Sequence, residues 1–93
     1  MSATAIKMTT RKYNPFRDGD YTDEVRYFVS QEAARLAVFG NDCGKLGEME
    51  AYRAYYGGES HSTGSGEMQR VWVEGPDGSV RIVWTLEKIT LEG

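Results

Sequence analysis

One cysteine, one histidine and two prolines are all that this 93-residue chain offers of those types, and the scarcity excludes several kinds of function. Lone Cys43 cannot close an intrachain disulfide, which fits a reducing compartment. Zinc asks for three or four Cys, His or carboxylate ligands in fixed geometry, so one Cys and one His lead to the expectation of no metal centre. No apolar stretch approaches the roughly 18 residues of a membrane span. MSATAIKMTT, at the start, carries no apolar run of signal-peptide length, so the expected location is the cytoplasm.

Two further patterns fall short of a site. DGDYTDE, residues 18–24, is acid-rich like a calcium loop, but its glycine stands second and Val29 occupies the twelfth place, where a bidentate Glu belongs. Residues 57–66, GGESHSTGSG, are rich in glycine without a G-x-x-x-x-G-K-[ST] or a G-x-G-x-x-G opening a helix. A phosphate cradle is not expected there, and no cofactor is expected anywhere. With four glycines, three serines and no apolar residue, this stretch reads as a flexible connector, because it buries too little to offset its ordering.

What is present describes one domain. The length suits a single modest core, and the 40% apolar and 12% aromatic content are globular values. The net charge of −3 is unevenly spread: residues 1–17 hold Lys7, Arg11, Lys12 and Arg17 and no acid, whereas the remaining residues hold all 14 acids against 7 bases. The split of +4 and −7 suggests two differently charged faces, and a pI near 5.1 argues against plain nonspecific affinity for duplex phosphates.

Periodicity supplies the elements. Residues 5–13, AIKMTTRKY, alternate Ile6, Met8 and Thr10 against Lys7, Thr9 and Arg11, a strand with one wet face. Residues 24–29, EVRYFV, alternate likewise, Val25, Tyr27 and Val29 against Arg26 and Phe28, and the turn formers of NPFRDGD between them predict a hairpin with a long loop. Ser30 is the expected N-cap of a helix, QEAARLAVF, with Glu32 in its first turn, Ala33, Leu36 and Ala37 on one side and Gly40 at its end. The spacing predicts a second helix over residues 45–56, with a strand as the alternative; Gly47 weakens the helix by about 1 kcal/mol and Gly57-Gly58 stops it. Last comes a hairpin turning at Pro76-Asp77-Gly78. Val80, Ile82, Trp84 and Leu86 share a phase that Ile89 and Leu91 leave, which predicts a bulge near Glu87-Lys88. The expected fold is α+β, ββααββ, two-layered: about four antiparallel strands with one or two helices on one face.

Two constellations remain as candidate chemistry. Nucleophilic catalysis would need Cys43 activated by His61, but His61 falls in the stretch expected to be least ordered, and no catalytic residue is assigned. The second is a contact surface. TTRKYNPFRDGDY sets Arg11, Lys12 and Arg17 among Tyr13, Asn14 and Phe16, and Arg and Tyr are over-represented at interface hot spots and also stack on or pair with RNA. Its alternative is an ordinary basic outer strand with Tyr13 or Phe16 folded back on the core. The cluster Tyr52, Arg53, Tyr55 and Tyr56 divides the same way: Tyr52 and Tyr56 share the apolar side and are expected in the core, leaving Arg53 and Tyr55 as contacts.

A motif-free, acidic single domain with a tyrosine-rich body resembles the small phage-encoded anti-CRISPR proteins. The stretch TTRKYNPFRDGDYTDEVRYFVSQEAARLAVFGNDCGKLGEMEAY, about half of the chain, looks like those that inhibit the type I-F (Csy) Cascade surveillance complex. The resemblance implies a non-enzymatic protein of the host bacterial cytoplasm that binds that multi-subunit complex, with the guide RNA as a further contact, and blocks target-DNA binding or hybridisation to the guide. The other expectations are a small adaptor or phage regulator using the same surface on another bacterial partner, and, in a different class, an enzyme built on Cys43 and His61.

Overall fold

In the computed structural model the described residues are 3–14, 16–17, 19–40, 46–65 and 68–91. Five strands and two helices follow in the order β1 (Ala3–Tyr13), β2 (Tyr21–Phe28), α1 (Gln31–Phe39), α2 (Glu48–Tyr56), β3 (Glu59–Ser65), β4 (Met68–Glu74) and β5 (Val80–Leu91). All strands join one antiparallel sheet in the order β2-β1-β5-β4-β3. Because β2 and β3 lie at opposite edges, the chain between them must cross the whole sheet. It does so as the two helices, which cover one face and leave the other bare.

The covered face is where the apolar phases meet. Ile6 and Met8 of β1, Val71 and Val73 of β4, and Ile82, Trp84 and Leu86 of β5 are buried against Ala34 and Val38 of α1, with Tyr52 and Tyr56 of α2 packed alongside. Each large side chain removed from water there contributes about 1.5–3 kcal/mol. Met8, Ile82 and Trp84 are fully buried. The buried stripe of α1 is Ala34 and Val38, one position round from the expected Ala33, Leu36 and Ala37; Leu36 stays 45% exposed. Small Ala34 lets the helix approach the sheet closely, and that contact fixes its rotation.

Local chemistry accounts for the helix ends. Ser30 Oγ accepts from the Ala33 N–H at 3.1 Å, and Gly40, at φ 79°, ends α1 as expected. The second helix does form, but Gly47 is its N-cap and not an interior residue, so the expected propensity loss does not arise. Gly47 is required for another reason: a Cβ there would overlap the Val38 carbonyl oxygen and the Gly40 nitrogen. Gly57, left-handed at φ 68°, closes α2.

Two further expectations are corrected. Residues 59–65, expected within a flexible connector, form edge strand β3, so the sheet has five strands and not four. Backbone pairing to β4 and the stacking of His61 on Trp72 (centroids 5.6 Å apart, 28° between planes) supply the order that side-chain burial does not, and a polar sequence suits an edge. Nor does β5 break near Glu87-Lys88. It pairs regularly with β1 to Leu91, while its register with β4 shifts between Val73 and Glu74, where Arg81 is the additional residue. Ile89 therefore stays on the bare face, opposite Ala5.

Candidate functional site

Strand alternation separates the cations that the sequence groups together. Arg11 and Lys12 are neighbours on β1, so their side chains leave on opposite faces of the sheet. Arg11 goes to the bare face, where its Nε and Nη2 donate to the two carboxylate oxygens of Asp23 at 2.9 and 3.1 Å. Its guanidinium lies 3.9 Å from the centroid of Tyr21, whose ring meets that of Tyr13 at 6.0 Å. The pairing holds the Asp23 carboxyl below its ordinary value and raises Arg11 above its own. Lys12 goes to the helix side, its Nζ 5.2 Å from the centroid of Tyr52, and that contact raises its pKa. The expectation of one basic face is thus not met: Arg11 and Lys12 leave on opposite faces, each against an internal partner.

The β1–β2 turn is organised by Asn14. Its Oδ1 accepts from the Phe16 N–H at 2.9 Å, its Nδ2 donates to Asp20 Oδ2 at 3.3 Å, and its backbone N–H donates to the Asp20 carbonyl at 2.9 Å. With the turn held from within, Phe16 projects into solvent at 92% exposure. Arg17 beside it is also exposed, with no ion pair among the described residues.

Across from the turn stands the end of α2. Tyr55 is 80% exposed, its ring edge-on to Tyr56 at 5.0 Å. Tyr56 stacks on Tyr52 at 6.1 Å, and Tyr52 meets Trp84 at 5.9 Å, so the outermost tyrosine rests on a chain of rings anchored in the core. Burial raises the Tyr56 hydroxyl pKa. Between turn and helix lies an open concavity of about 350 Å³, lined by Lys12, Tyr13, Asn14, Phe16 and Tyr55 among others. Five of the eight residues expected as contacts therefore meet in one place. Arg11 faces elsewhere, Arg17 projects from the same turn, and Arg53 donates to Glu50 Oε2 at 2.7 Å along the helix. Asn14 acts by shaping the turn.

Sequence reasoning passed over the bare sheet face. There a second groove, of about 520 Å³, is lined by Thr9, Arg11, Tyr13, Thr63, Arg70, Trp72, Val80, Val83 and Thr85. The signal was in β4: in QRVWVE, Arg70 and Trp72 hold the phase opposite to buried Val71 and Val73. Trp72 Nε1 donates to Glu74 Oε1 at 3.2 Å, and the other oxygen of Glu74 lies 3.4 Å from His61 Nε2. His61 is thus engaged with Trp72 and Glu74, while Cys43, its expected catalytic partner, lies outside the described residues.

No group of three or more His, Cys, Asp and Glu placed to hold a metal ion occurs among the described residues, and no helix of theirs is long and apolar enough to cross a membrane. Compared with protein families, curated proteins and solved structures, the chain matches none.

Proposed function

We propose that the protein is a non-catalytic binding protein that docks on a larger assembly through the β1–β2 turn and the end of α2, with Phe16 and Tyr55 as anchors and Arg17 as the cation at the rim. The observation that carries this reading is the convergence of Phe16 and Tyr55 with Lys12 and Tyr13 on one concavity, with two large aromatic side chains almost wholly in water. Two exposed aromatic side chains at one concavity form a patch that a partner can cover, and aromatic anchors seated in a partner's pockets dominate interface energetics.

The partner we propose is the type I-F surveillance complex, on the likeness of residues 9–52 to inhibitors of that assembly. Such a complex holds nucleic acid in a positively charged channel; the acidic body of this chain suits that cationic surface, while Lys12 and Arg17 at the contact suit an acidic subunit patch or the phosphates of the guide. Docking there would deny target DNA its path to the guide RNA by occlusion, without turnover.

The test is a DNA-binding assay with purified complex and increasing amounts of the protein. Target binding should fall at near-equimolar ratio, together with a stable co-eluting species. Normal DNA binding at saturating protein overturns the choice of partner. Recovery from host lysate of a different single protein, through a Phe16- and Tyr55-dependent contact, would establish the adaptor reading in its place.

A further inference from the structure

We infer that the bare face of the sheet is a second binding site, and that its occupant is a single-stranded nucleic acid with one or two nucleotides seated in the groove across β1, β5 and β4. This inference does not depend on the partner of the turn and α2.

The lining carries the argument. In a chain with more acids than bases, the groove lining presents two guanidiniums, two aromatic rings and three threonine hydroxyls and, among the described residues, no carboxylate; next to it, Asp23 accepts from Arg11 and Glu74 from Trp72. Arg11 is held by Asp23. Arg70 is exposed and makes no ion pair among the described residues, so it is the charge left for an incoming anion. Trp72 is half-buried and oriented twice over, by its hydrogen bond to Glu74 and by the stacked His61 ring. A planar shelf locked in that way loses little freedom when a base stacks on it.

The shape narrows the ligand. The volume lies within the roughly 300–1,000 Å³ range of ligand sites, but the groove is open along the sheet and is not an enclosed cavity, which suits a strand passing through. Base stacking requires unpaired bases, so a duplex presents the wrong surface. With Arg70 as the chief free cation, few phosphates are neutralised, and the dependence of log affinity on log salt should be shallow, about −0.7 for each phosphate contacted.

The experiment titrates the full chain with labelled dodecamers of RNA and of DNA, with the matching duplex, and with inorganic polyphosphate. Anisotropy reports binding, and tryptophan fluorescence reports the groove, because Trp84 is fully buried and leaves Trp72 as the responsive indole. Saturable binding of single strands with quenching, and much weaker binding of duplex and polyphosphate, is the expected result. A preference for RNA would place the 2′-hydroxyl against the threonines; equal affinity would mean that bases and phosphate alone are read.

R70A should weaken binding on the order of tenfold, and W72A by a similar or larger factor. R70A alters an exposed residue and keeps the test decisive if W72A fails to fold. The double variant F16A/Y55A should bind the oligonucleotides as the parent does, since its changes lie outside the groove. Absence of saturable binding at low salt, equal binding of duplex or polyphosphate, or full affinity in R70A and W72A overturns the inference and leaves the proposed turn-and-α2 contact intact.

Discussion

Arg26 of β2 reaches to Glu48 in the first turn of α2, its Nη2 2.7 Å from Glu48 Oε1. The contact ties an edge strand to the helix layer, and it raises the Arg26 pKa through the charge-assisted hydrogen bond with Glu48. Glu48 also stands at a helix N-terminus, where an anion is favoured. Both side chains keep a third of their exposure, so a double-mutant cycle of R26A and E48A in chemical denaturation should return a coupling of about 1 kcal/mol. Additive losses would show that the pair contributes no net stability.

Gly47 has no room for a side chain. G47A should destabilise the domain by about 1–3 kcal/mol, as overpacking at a rigid backbone contact does. Thermal unfolding measures it, and an unchanged midpoint would mean that the α1–α2 junction yields without cost.

Stability should respond to pH on both sides. Arg11 holds the Asp23 carboxyl below its ordinary 3.8, so the contribution is complete above that value and is lost as pH falls below it toward the depressed folded pKa. D23N should flatten the acid limb of a stability profile. Lys12 and Tyr56 are raised above 10.5 and 10.0. Their contributions are complete below those values and are lost as pH rises through the higher folded pKa values. K12M should remove the Lys12 part of the alkaline limb and leave that of Tyr56, and unchanged limbs in both variants would remove the Asp23 and Lys12 contacts from the account.

Phe16 and Tyr55 are exposed at 92% and 80%, so F16A/Y55A should leave the unfolding midpoint nearly unchanged. If they are anchors, the same variant loses about 2 kcal/mol of partner binding, roughly thirtyfold in Kd. Calorimetry with the purified surveillance complex reads the loss. Undiminished affinity would move the contact to another surface.

Alternation and capping made the elements legible: β1, α1 with Ser30, and the β4–β5 hairpin follow from the order of apolar residues and turn formers; β2 was legible as a strand but not in its phase, because Val25, Tyr27 and Val29, read as the apolar side, are exposed while Phe28 packs against the core. Strand β3 was not legible, because ESHSTGS has no apolar phase to read and its order comes from its neighbour's backbone. The contact residues were legible as a composition of Arg, Tyr and Phe, but not as an arrangement. Nothing in Lys12 and Tyr55 as sequence says that they line one concavity, and nothing in Arg11 says that Asp23 would hold it.

Local order thus determined which residues became strands and helices, because periodicity and capping act within a few positions of the chain. Tertiary structure alone decided that the helices cross from one sheet edge to the other. The physical reason is that pairing and burial join residues far apart in sequence: the β2-β1-β5-β4-β3 order covers one face, bares the other, and sends adjacent cations to opposite sides of the molecule.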